Sequence, residues 1–348
     1  MSAERVAAAP ELNTMLDDQV VLITGGTGSF GRKFVEVVLA RFRPKKLIVF
    51  SRDELKQHEM SQLFPESTHT CMRYFIGDVR DRDRLYRAFD GVDIVVHAAA
   101  LKQVPAAEYN PLEAVKTNVM GAVNVIDAAI DRNVRRVVAL STDKAASPIN
   151  LYGATKLCSD KLFVAANNYS GGHETRFSVV RYGNVVGSRG SVIPFFLERR
   201  GTGVLPVTDT RMTRFWITLE QGVAFVLQSL EKMQGGEVFV PKIPSMSIAD
   251  LANAMAPECR IDITGIRPGE KLHETLVSED DARRTLEYEE YFAILPAFHD
   301  WDADAYARTN GGRRCEEGFR YGSDTNPRQM TADDLRAMLG MGGPNGLG

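Results

Sequence analysis

Tyr152 and Lys156 are the two residues whose spacing points most directly to chemistry. They stand four positions apart in a stretch with helical periodicity, so they share one face of a predicted helix. An ammonium beside a phenol stabilises the phenolate, and we expect the pKa of Tyr152 to fall from its reference value of about 10. Such a tyrosine can take the proton of a hydroxyl whose carbon gives up a hydride. The pair therefore predicts proton transfer coupled to hydride transfer.

A polar run lies directly upstream of this helix. A strand predicted at Val137–Ser141 delivers Thr142, Asp143 and Lys144 to the carboxyl edge of a parallel sheet, where ligands of such folds bind. Thr142 is expected to hydrogen-bond the same substrate oxygen as Tyr152. For Asp143 and Lys144 the alternative is an ion pair in a solvated loop. Their closeness to the tyrosine favours a role in the site.

A glycine-rich turn follows the first predicted strand and opens the first helix. Its glycines permit a tight turn, a close approach of the backbone to a pyrophosphate, and packing of the helix on the sheet. The free N–H groups and partial positive charge of the helix N-terminus favour phosphate. A merely structural turn is the alternative, but the strand–turn–helix context favours a dinucleotide. The residues predicted to hold it here are Gly25, Thr27, Gly28, Ser29, Phe30 and Gly31.

The end of the second predicted strand bears on the choice between NAD and NADP. An acidic residue there binds the ribose 2′-hydroxyl of NAD, whereas arginine accommodates the 2′-phosphate of NADP. Ser51, Arg52 and Lys56 could surround a phosphate, and the bidentate geometry of arginine favours NADP. Asp53 could instead bind an NAD ribose or cap the next helix.

Further cofactor contacts are predicted on the later strand ends and on the helix of the tyrosine. Asp78 could accept from the adenine amino group or simply end a turn. Asn118 could bind a water or a backbone carbonyl behind Lys156, with a buried capping role as the alternative. Lys102 could approach either the diphosphate or the substrate. The remaining predicted contacts are Val79, Ala98, Ala99, Tyr152 and Lys156, the last of them at the nicotinamide ribose.

The elements that position these residues follow an alternating pattern from Val20 to about Val180. Strands are predicted at Val20–Thr24, Lys46–Phe50, Met72–Ile76, Ile94–His97, Val137–Ser141 and Phe177–Arg181. Helices are predicted at Lys33–Arg41, Arg82–Phe89, Leu112–Asp131, Tyr152–Asn168, Leu219–Met233, Ile248–Met255 and Thr331–Leu339. This alternation predicts an α/β fold: a Rossmann-type, doubly wound parallel sheet with a smaller C-terminal α/β substrate-binding cap.

The domain limits follow from the same pattern. We expect a flexible leader at 1–17 and an NADP-binding Rossmann domain at 18–183 to which some later segments return. A mainly substrate-binding cap is expected at 184–339, and a disordered glycine-rich tail at 340–348.

Composition excludes several other classes of protein. The 348 residues carry a formal net charge of −3, with no basic run of the kind that binds nucleic acid. No apolar run reaches the length of a membrane span, and no signal peptide is recognisable, so we expect a cytoplasmic protein. The four cysteines are scattered and the histidines lack metal-binding spacing, which predicts reduced thiols and no metal site.

These motifs resemble a known family. Gly25–Gly31 together with Tyr152-x-x-x-Lys156 is similar to the extended short-chain dehydrogenase/reductases, and Thr142–Pro148 resembles their nucleotide-sugar 4,6-dehydratases. The segments that resemble UDP-N-acetylglucosamine 4,6-dehydratases are His97–Pro105, Asn184–Val185, Ser188–Pro194, Met212–Trp216 and Arg267–Lys271. The resemblance runs from about Asp18 to Leu339 and is greatest to the soluble, C5-inverting enzymes that open pseudaminic acid synthesis. Gln103 departs from it, since histidine is expected there.

The resemblance implies a reaction on UDP-N-acetylglucosamine with NADP. Tyr152 deprotonates O4 while hydride leaves C4, and the ketone so formed acidifies C5. Lys144 then acts as base at C5 and Asp143 as acid for the 6-hydroxyl, and hydride returns to C6. These roles need a neutral lysine and a protonated aspartate, so we expect burial to draw their pKa values together. The implied substrate ligands are Lys102, Asn184, Arg189, Val192, Pro194, Arg214, Arg267 and Glu270.

Three alternatives share parts of this pattern. A C5-retaining dehydratase would use the same residues, and a UDP-sugar 4-epimerase would need Tyr152 and Lys156 but no acid and base at Asp143 and Lys144. A non-catalytic NADP-binding regulator would not need Tyr152, Lys156 and Thr142 together. The Leu112–Asp131 and Tyr152–Asn168 helices are apolar on more than one face, which, with the resemblance, predicts a homo-oligomer.

Overall fold

The computed structural model describes residues 14–188, 191–298, 301–309 and 311–339. Arg189, most of the predicted leader and the predicted tail at 340–348 lie outside these residues. The interpretation of 1–17 as a flexible leader is wrong for residues 14–17. Leu16 is fully buried in the main core, and the Asp17 carboxylate accepts a hydrogen bond from the Arg43 backbone N–H at 2.7 Å.

The strands of the described chain alternate with helices through the first half. The strands are β1 Val20–Thr24, β2 Lys46–Ser51, β3 Met72–Ile76, β4 Ile94–His97, β5 Arg136–Thr142, β6 Arg176–Tyr182, β7 Asn184–Val185, β8 Val204–Val207, β9 Thr213–Ile217, β10 Val238–Pro241, β11 Ser245–Ser247, β12 Arg260–Ile263, β13 Thr275–Val277, β14 Thr285–Glu287, β15 Tyr291–Ile294, β16 Arg313–Arg314 and β17 Tyr321–Gly322.

The α-helices cover the faces of the main sheet and contribute to the smaller C-terminal region around β8 and β9. They are α1 Ser29–Arg41, α2 Glu54–Leu63, α3 Arg82–Ala88, α4 Val104–Tyr109, α5 Pro111–Ala114, α6 Gly121–Asp131, α7 Leu151–Ala166, α8 Val192–Arg199, α9 Leu219–Lys232, α10 Ile248–Met255, α11 Glu279–Ala282, α12 Ala303–Thr309 and α13 Ala332–Met338. Two 3₁₀ turns, Asp143–Ala145 and Arg200–Thr202, and a π-helical segment, Val115–Met120, complete the description.

The main sheet has ten strands, and seven of them are parallel in the order β3-β2-β1-β4-β5-β6-β10. Strands β15, β14 and β16 continue it in antiparallel fashion. The central strands are buried along their whole length, as expected for a sheet covered on both faces. The predicted Rossmann-type fold and its six N-terminal strands are confirmed.

Two hydrophobic clusters form the interior. The larger surrounds the main sheet, with Phe34 of α1, Val125 of α6 and Phe163 of α7 among its fully buried members. The smaller joins β8, β9, α8, α10 and α13 around Trp216 and Leu251. The predicted last helix begins with a capping box, in which Thr331 and Asp334 exchange side-chain and backbone hydrogen bonds.

The helix predicted at Leu112–Asp131 is interrupted. It consists of α5, the π-helical segment Val115–Met120 and α6. The wider turn contains Asn118, which is 2 % exposed and hydrogen-bonds across to Leu101 and Thr155. Single π-helical turns of this kind occur often at functional sites. Helical periodicity alone did not reveal the interruption, because the apolar positions continue through it.

The contact that fixes the candidate site is that of α7 with the 3₁₀ turn Asp143–Ala145. Asn150 caps α7 by accepting a hydrogen bond from the Gly153 backbone N–H at 2.8 Å. A Cβ at Gly153 would lie 2.1 Å from the Lys144 carbonyl oxygen, so only glycine lets the helix approach this closely.

We expect Gly153→Ala to lower the free energy of unfolding by about 1–3 kcal/mol, because the added methyl must push the turn away from the helix. Urea unfolding followed by circular dichroism measures this. Gly222→Ala in α9 is the matched control, since its added Cβ would meet Phe30 only at 3.9 Å. That variant should be as stable as the wild type or gain up to about 1 kcal/mol. Equal stability of the two variants would contradict the close contact.

Candidate active site

A cavity of about 880 Å³ opens at the carboxyl ends of β1, β2, β4 and β5. This is the edge of a doubly wound sheet at which ligands bind. Most of the residues predicted for cofactor and catalysis line it. They are Gly25, Thr27, Gly28, Ser29, Phe30, Gly31, Ser51, Arg52, Lys56, Asp78, Val79, Ala98, Ala99, Lys102, Thr142, Lys144, Tyr152 and Lys156.

The glycine turn has the geometry that a dinucleotide phosphate needs. Gly25 has φ +66°, and a Cβ there would lie 2.8 Å from the Ala99 backbone nitrogen. A Cβ at Gly31 would lie 2.3 Å from the Gly26 carbonyl oxygen, so α1 packs directly on the turn. Gly28 precedes α1 and supplies no side-chain cap, which leaves the first N–H groups of the helix to a ligand. The turn therefore fits a pyrophosphate.

The residues after β2 form the far end of the cavity. Asp53 caps α2 by accepting from the Lys56 backbone N–H at 3.0 Å, and its other oxygen accepts from Lys56 Nζ at 2.6 Å. These hydrogen bonds lower the pKa of the Asp53 carboxyl. Ser51 Oγ lies 2.9 Å from Thr27 Oγ1, and the Arg52 side chain is about half exposed. The guanidinium of Arg52 approaches the Asp78 carboxylate to 3.6 Å but stays about half exposed, whereas the Asp53 carboxylate is engaged within its own helix.

Two further predicted cofactor residues, Asp78 and Asn118, have partners within the protein. The Asp78 carboxylate accepts from Arg80 Nη2 at 2.7 Å, although the residue still lines the cavity. Asn118 does not line it. Its amide donates to the Leu101 carbonyl at 2.9 Å and to Thr155 Oγ1 at 3.0 Å, which ties the loop after β4 to α7. Asn118 thus binds a backbone carbonyl, one of the roles considered for it, and its predicted contact with the cofactor stays a prediction.

Tyr152 and Lys156 lie on successive turns of α7, and both line the cavity. Burial raises the pKa of Tyr152 to about 12, while Lys144 and the Thr142 hydroxyl act to lower it. Burial also lowers the pKa of Lys156, against the opposing charge of Asp160. The expected fall in the Tyr152 pKa is therefore wrong for the protein alone, because removal of the phenol from water outweighs the cation beside it.

Asp143 and Lys144 form a close ion pair at the end of β5. Lys144 Nζ donates to Asp143 Oδ1 at 3.0 Å, and the same oxygen accepts from Thr142 Oγ1 at 2.9 Å. Asp143 is 1 % exposed, so the solvated-loop alternative does not apply. Burial acts to lower the pKa of Lys144, but the carboxylates of Asp143 and Glu274 outweigh it and the pKa is raised. The expected downward shift of the Lys144 pKa is wrong, because the charges of Asp143 and Glu274 together outweigh the effect of burial.

Glu274 is that second carboxylate, and sequence reasoning missed it. It directly precedes β13, is 2 % exposed, and places Oε1 3.4 Å from Lys144 Nζ. Its position three residues after the predicted Arg267–Lys271 motif was the available signal. Without the fold, nothing in the sequence connects it to Lys144, 130 positions earlier.

Other cavity residues were missed for a simpler reason. Leu140 and Ser141 near the end of β5, and Tyr182 at the end of β6, line the cavity beside the predicted residues. Asp160 lies one turn beyond Lys156 on α7 and accepts from Ser141 Oγ at 2.7 Å. The position of each at a strand end, or four residues after Lys156, was a usable signal.

The predicted substrate residues are only partly brought together. Asn184 lines the cavity, whereas Val192, Pro194, Arg214, Arg267 and Glu270 do not. Arg214 is 7 % exposed and donates to the backbone carbonyls of Lys271 at 2.9 Å and Leu272 at 3.1 Å. In this conformation it braces that segment, which differs from the expectation of a diphosphate ligand.

Arg267 and Glu270 stand on a turn beside the start of α7. Their side chains approach to 3.8 Å, and the Arg267 side chain is about two-thirds exposed. The Gly269 carbonyl in the same turn accepts from Asn150 Nδ2 at 2.7 Å. The turn is therefore attached to the N-cap of the helix that carries Tyr152, outside the cavity itself.

Two further properties of the described residues concern metals and membranes. Within those ranges no cluster of three or more His, Cys, Asp or Glu side chains is arranged to hold a metal ion. No described helix is both long and apolar enough to cross a membrane.

The strand order, the glycine turn and the Tyr152/Lys156 pair define an extended short-chain dehydrogenase/reductase, as the sequence predicted. Within that class, a family model described as "Polysaccharide biosynthesis protein" matches residues 21–296. The chain belongs to this family.

Known relatives cover nearly the whole chain. It is 58 % identical over 331 residues to a UDP-N-acetylglucosamine 4,6-dehydratase (inverting) of Campylobacter jejuni, covering 93 % of this chain and 98 % of the relative. It is 42 % identical over 337 residues to a UDP-glucose 4-epimerase of Rickettsia canadensis, covering 93 % and 96 %. Among solved structures, Pen from Bacillus thuringiensis superposes with a TM-score of 0.85 at 37 % identity, covering 94 % and 98 %.

Proposed function

We propose that this protein is an NADP-dependent UDP-N-acetylglucosamine 4,6-dehydratase that inverts C5. The observation that carries the proposal is the close Asp143–Lys144 pair, in which Asp143 is buried and Lys144 lines the same cavity as Tyr152 and the glycine turn. A high identity to the inverting dehydratase of Campylobacter jejuni supports the same assignment. The proposal includes a cytoplasmic location and, as the resemblance implies, a homo-oligomer. Tyr109, Leu112 and Met120, which are exposed on and between α4 and α6, suit contacts between subunits.

The first step belongs to Tyr152. The glycine turn would hold NADP, which would supply a hydride acceptor for C4 of the sugar and a hydride donor for C6. Tyr152 removes the proton from O4, and Thr142 hydrogen-bonds the same oxygen. Because burial holds the Tyr152 pKa at about 12, the phenol gives up its own proton only when positive charge is near. Lys144 and Lys156 are the cations that this chain places around it.

The elimination step belongs to Asp143 and Lys144. Their side chains are 3.0 Å apart, so one proton can pass from the ammonium to the carboxylate. That single transfer produces both reactive forms: a neutral amine that takes the C5 proton, and a carboxylic acid that protonates the departing 6-hydroxyl. The pair titrates as a unit. Proton return to the opposite face of C5 would complete the inversion.

Substrate recognition is assigned to the rim of the cavity. Asn184 and Lys102 line it, and Arg267 with Glu270 stands on the turn attached to α7. The exposed Arg267 guanidinium can take up diphosphate oxygens bidentately. Val192 and Pro194 at the start of α8 are proposed to contact the nucleotide when the turn that carries Arg267 and Glu270 closes. Arg189 is proposed as a further diphosphate ligand.

A UDP-sugar 4-epimerase is the second candidate, because the Rickettsia canadensis relative carries that name. An epimerase needs Tyr152 and Lys156 to oxidise and reduce C4. It has no step for an acid and a base at C5 and C6, whereas this site pairs the buried Asp143 with Lys144, and Lys144 lines the cavity.

Incubation with UDP-N-acetylglucosamine in deuterated water, followed by NMR, tests the proposal. We expect a 4-keto-6-deoxy product with deuterium at C5 and inverted configuration there. Lys144→Ala should lower turnover by at least about a thousandfold, because it removes the C5 base. Tyr152→Phe should lower it by about a hundredfold or more, because it removes the base at O4.

Glu258→Gln is the matched control, since Glu258 is an exposed partner of Arg200 far from the cavity residues. It should turn over like the wild type. Recovery of only the C4 epimer would establish the epimerase instead, and deuterium at C5 with the configuration retained would establish the retaining dehydratase.

Cofactor choice is tested separately with Arg52→Ala. We expect the Kd for NADPH to rise about 10- to 100-fold, because a charge-assisted contact to the 2′-phosphate is lost. The Kd for NADH should change by less than about threefold, since NADH lacks that phosphate. Fluorescence titration measures both dissociation constants. Arg73→Ala is the control, because Arg73 lies on β3, the strand next to β2, and its side chain is partly exposed. Equal weakening of the two cofactors would contradict a phosphate role for Arg52.

A further inference from the structure

Five charged side chains from three separate parts of the chain meet at the edge of the cavity. Glu274 is at their centre, with Lys144 Nζ at 3.4 Å, Lys271 Nζ at 3.5 Å and Arg214 Nε at 3.9 Å. Asp143 completes the group through its contact with Lys144. Nearby cations offset the loss of hydration of a carboxylate buried in this way.

The Glu274 carboxylate divides its two oxygens between different cations. Oε1 approaches Lys144 and Arg214, whereas Oε2 lies near Lys271 and accepts no hydrogen bond from the described residues. The backbone of Glu274 is fixed on both sides, since its N–H donates to Ser323 Oγ at 2.9 Å and its carbonyl accepts from the Ser323 N–H at 2.8 Å. The Glu274 carboxylate is therefore held in place, and its two oxygens face different cations.

We propose that Glu274 is a positioning residue for the elimination step, holding the Lys144 amine beside Asp143 and setting how readily that amine gives up its proton. This rests on the proposed function, in which Lys144 is the base at C5. Lys271 has the opposite effect, because its ammonium neutralises Glu274 from the other oxygen. The two residues thus set the proton balance of Lys144 without touching the substrate.

The groups that face Lys144 come from every element packed around it. Asp143 lies beside it on the 3₁₀ turn, Glu274 precedes β13, and Arg214 belongs to β9. Lys102 on the loop after β4 and Tyr152 on α7 also feel its charge. Two carboxylates stabilise the Lys144 ammonium, whereas two cations, Arg214 and Lys102, and burial itself oppose it. Removing one carboxylate should therefore change the pKa of Lys144 markedly.

The same contacts join this balance to the proposed substrate turn. Lys271 Nζ donates to the Ala146 carbonyl at 2.6 Å, just after the catalytic 3₁₀ turn. Glu274 lies three positions after Lys271, whereas Arg267 and Glu270 lie four positions and one position before Lys271. A movement of the turn on substrate binding would reach Lys144 through Lys271 and Glu274.

Glu274→Gln tests the proposal, because it removes the charge and keeps the shape. The midpoint of the acid limb of the kcat–pH profile should move down by about one pH unit or more, since the amine becomes neutral at lower pH. Lys271→Met should move it up, because an uncompensated Glu274 holds the proton more firmly. KM for UDP-N-acetylglucosamine should stay within about threefold in both variants, since neither residue is assigned a substrate contact.

A second measurement does not depend on turnover. Trace acetylation at pH 8 followed by mass spectrometry gives the reactivity of Lys144 relative to exposed Lys46. It should rise by about tenfold or more in Glu274→Gln, because each unit of pKa changes the neutral fraction tenfold. It should fall in Lys271→Met. Glu274→Asp, which keeps the charge, should stay nearer the wild type than Glu274→Gln on both readouts.

The outcomes separate this proposal from its foundations. If the wild type does not dehydrate UDP-N-acetylglucosamine, the proposed function fails while the acetylation result still decides the role of Glu274. If Glu274→Gln does not fold, as judged by circular dichroism, Lys271→Met and Glu274→Asp carry the test. Unchanged profiles, or shifts of Glu274→Gln and Lys271→Met in the same direction, would overturn the proposal.

Discussion

The close approach of α7 to the turn after β5 is the contact on which the rest of the site depends. With no side chain at Gly153, the helix rests against the Lys144 carbonyl, and the Asn150 cap fixes where the helix begins. This brings a residue of the first helical turn, Tyr152, within the electrostatic field of Lys144. Two groups that are proposed to act at different carbons of one sugar are thereby held by a single packing contact between neighbouring elements.

The site keeps its acid–base groups in forms that are inactive at rest. Tyr152 is held neutral by burial, and Lys144 is held charged by two carboxylates. Under the proposed function, Tyr152 and Lys144 must each lose a proton before they can act as bases. Charge that is brought by a bound ligand, or redistributed during the reaction, favours each loss. Preorganised charges of this kind make the site responsive to bound ligand instead of permanently reactive.

Sequence reasoning predicted what is local and failed where distant segments meet. The glycine turn, the Tyr152/Lys156 pair and the six N-terminal strands each have a signature within a few residues, and the structure has each in the expected place. The pKa directions of Tyr152 and Lys144 were wrong, because they depend on burial and on Glu274, which no spacing rule connects to β5.

The arginines show the same limit from the other side. Arg214 has the residue type expected of a diphosphate ligand, but its guanidinium is engaged by backbone carbonyls of a segment more than fifty positions away. Residue type predicts what a side chain can bind, whereas only the fold determines which partner reaches it first. Asn118 differs in the same way, since its amide is engaged by Leu101 and Thr155.

The return of the late segments to the main sheet has a consequence for how the chain acquires its activity. β10, β14, β15 and β16 join a sheet begun by β1, and Lys271 closes on a carbonyl 125 positions earlier. Contacts of such long range form slowly, because the intervening chain must lose its freedom before they contribute. During synthesis the nucleotide half, which carries Asp143, Lys144 and Tyr152, therefore emerges before Glu274. A chain ended before residue 274 would have the tyrosine, the glycine turn and Asp143, but the lysine proposed as base would lack the second carboxylate beside it.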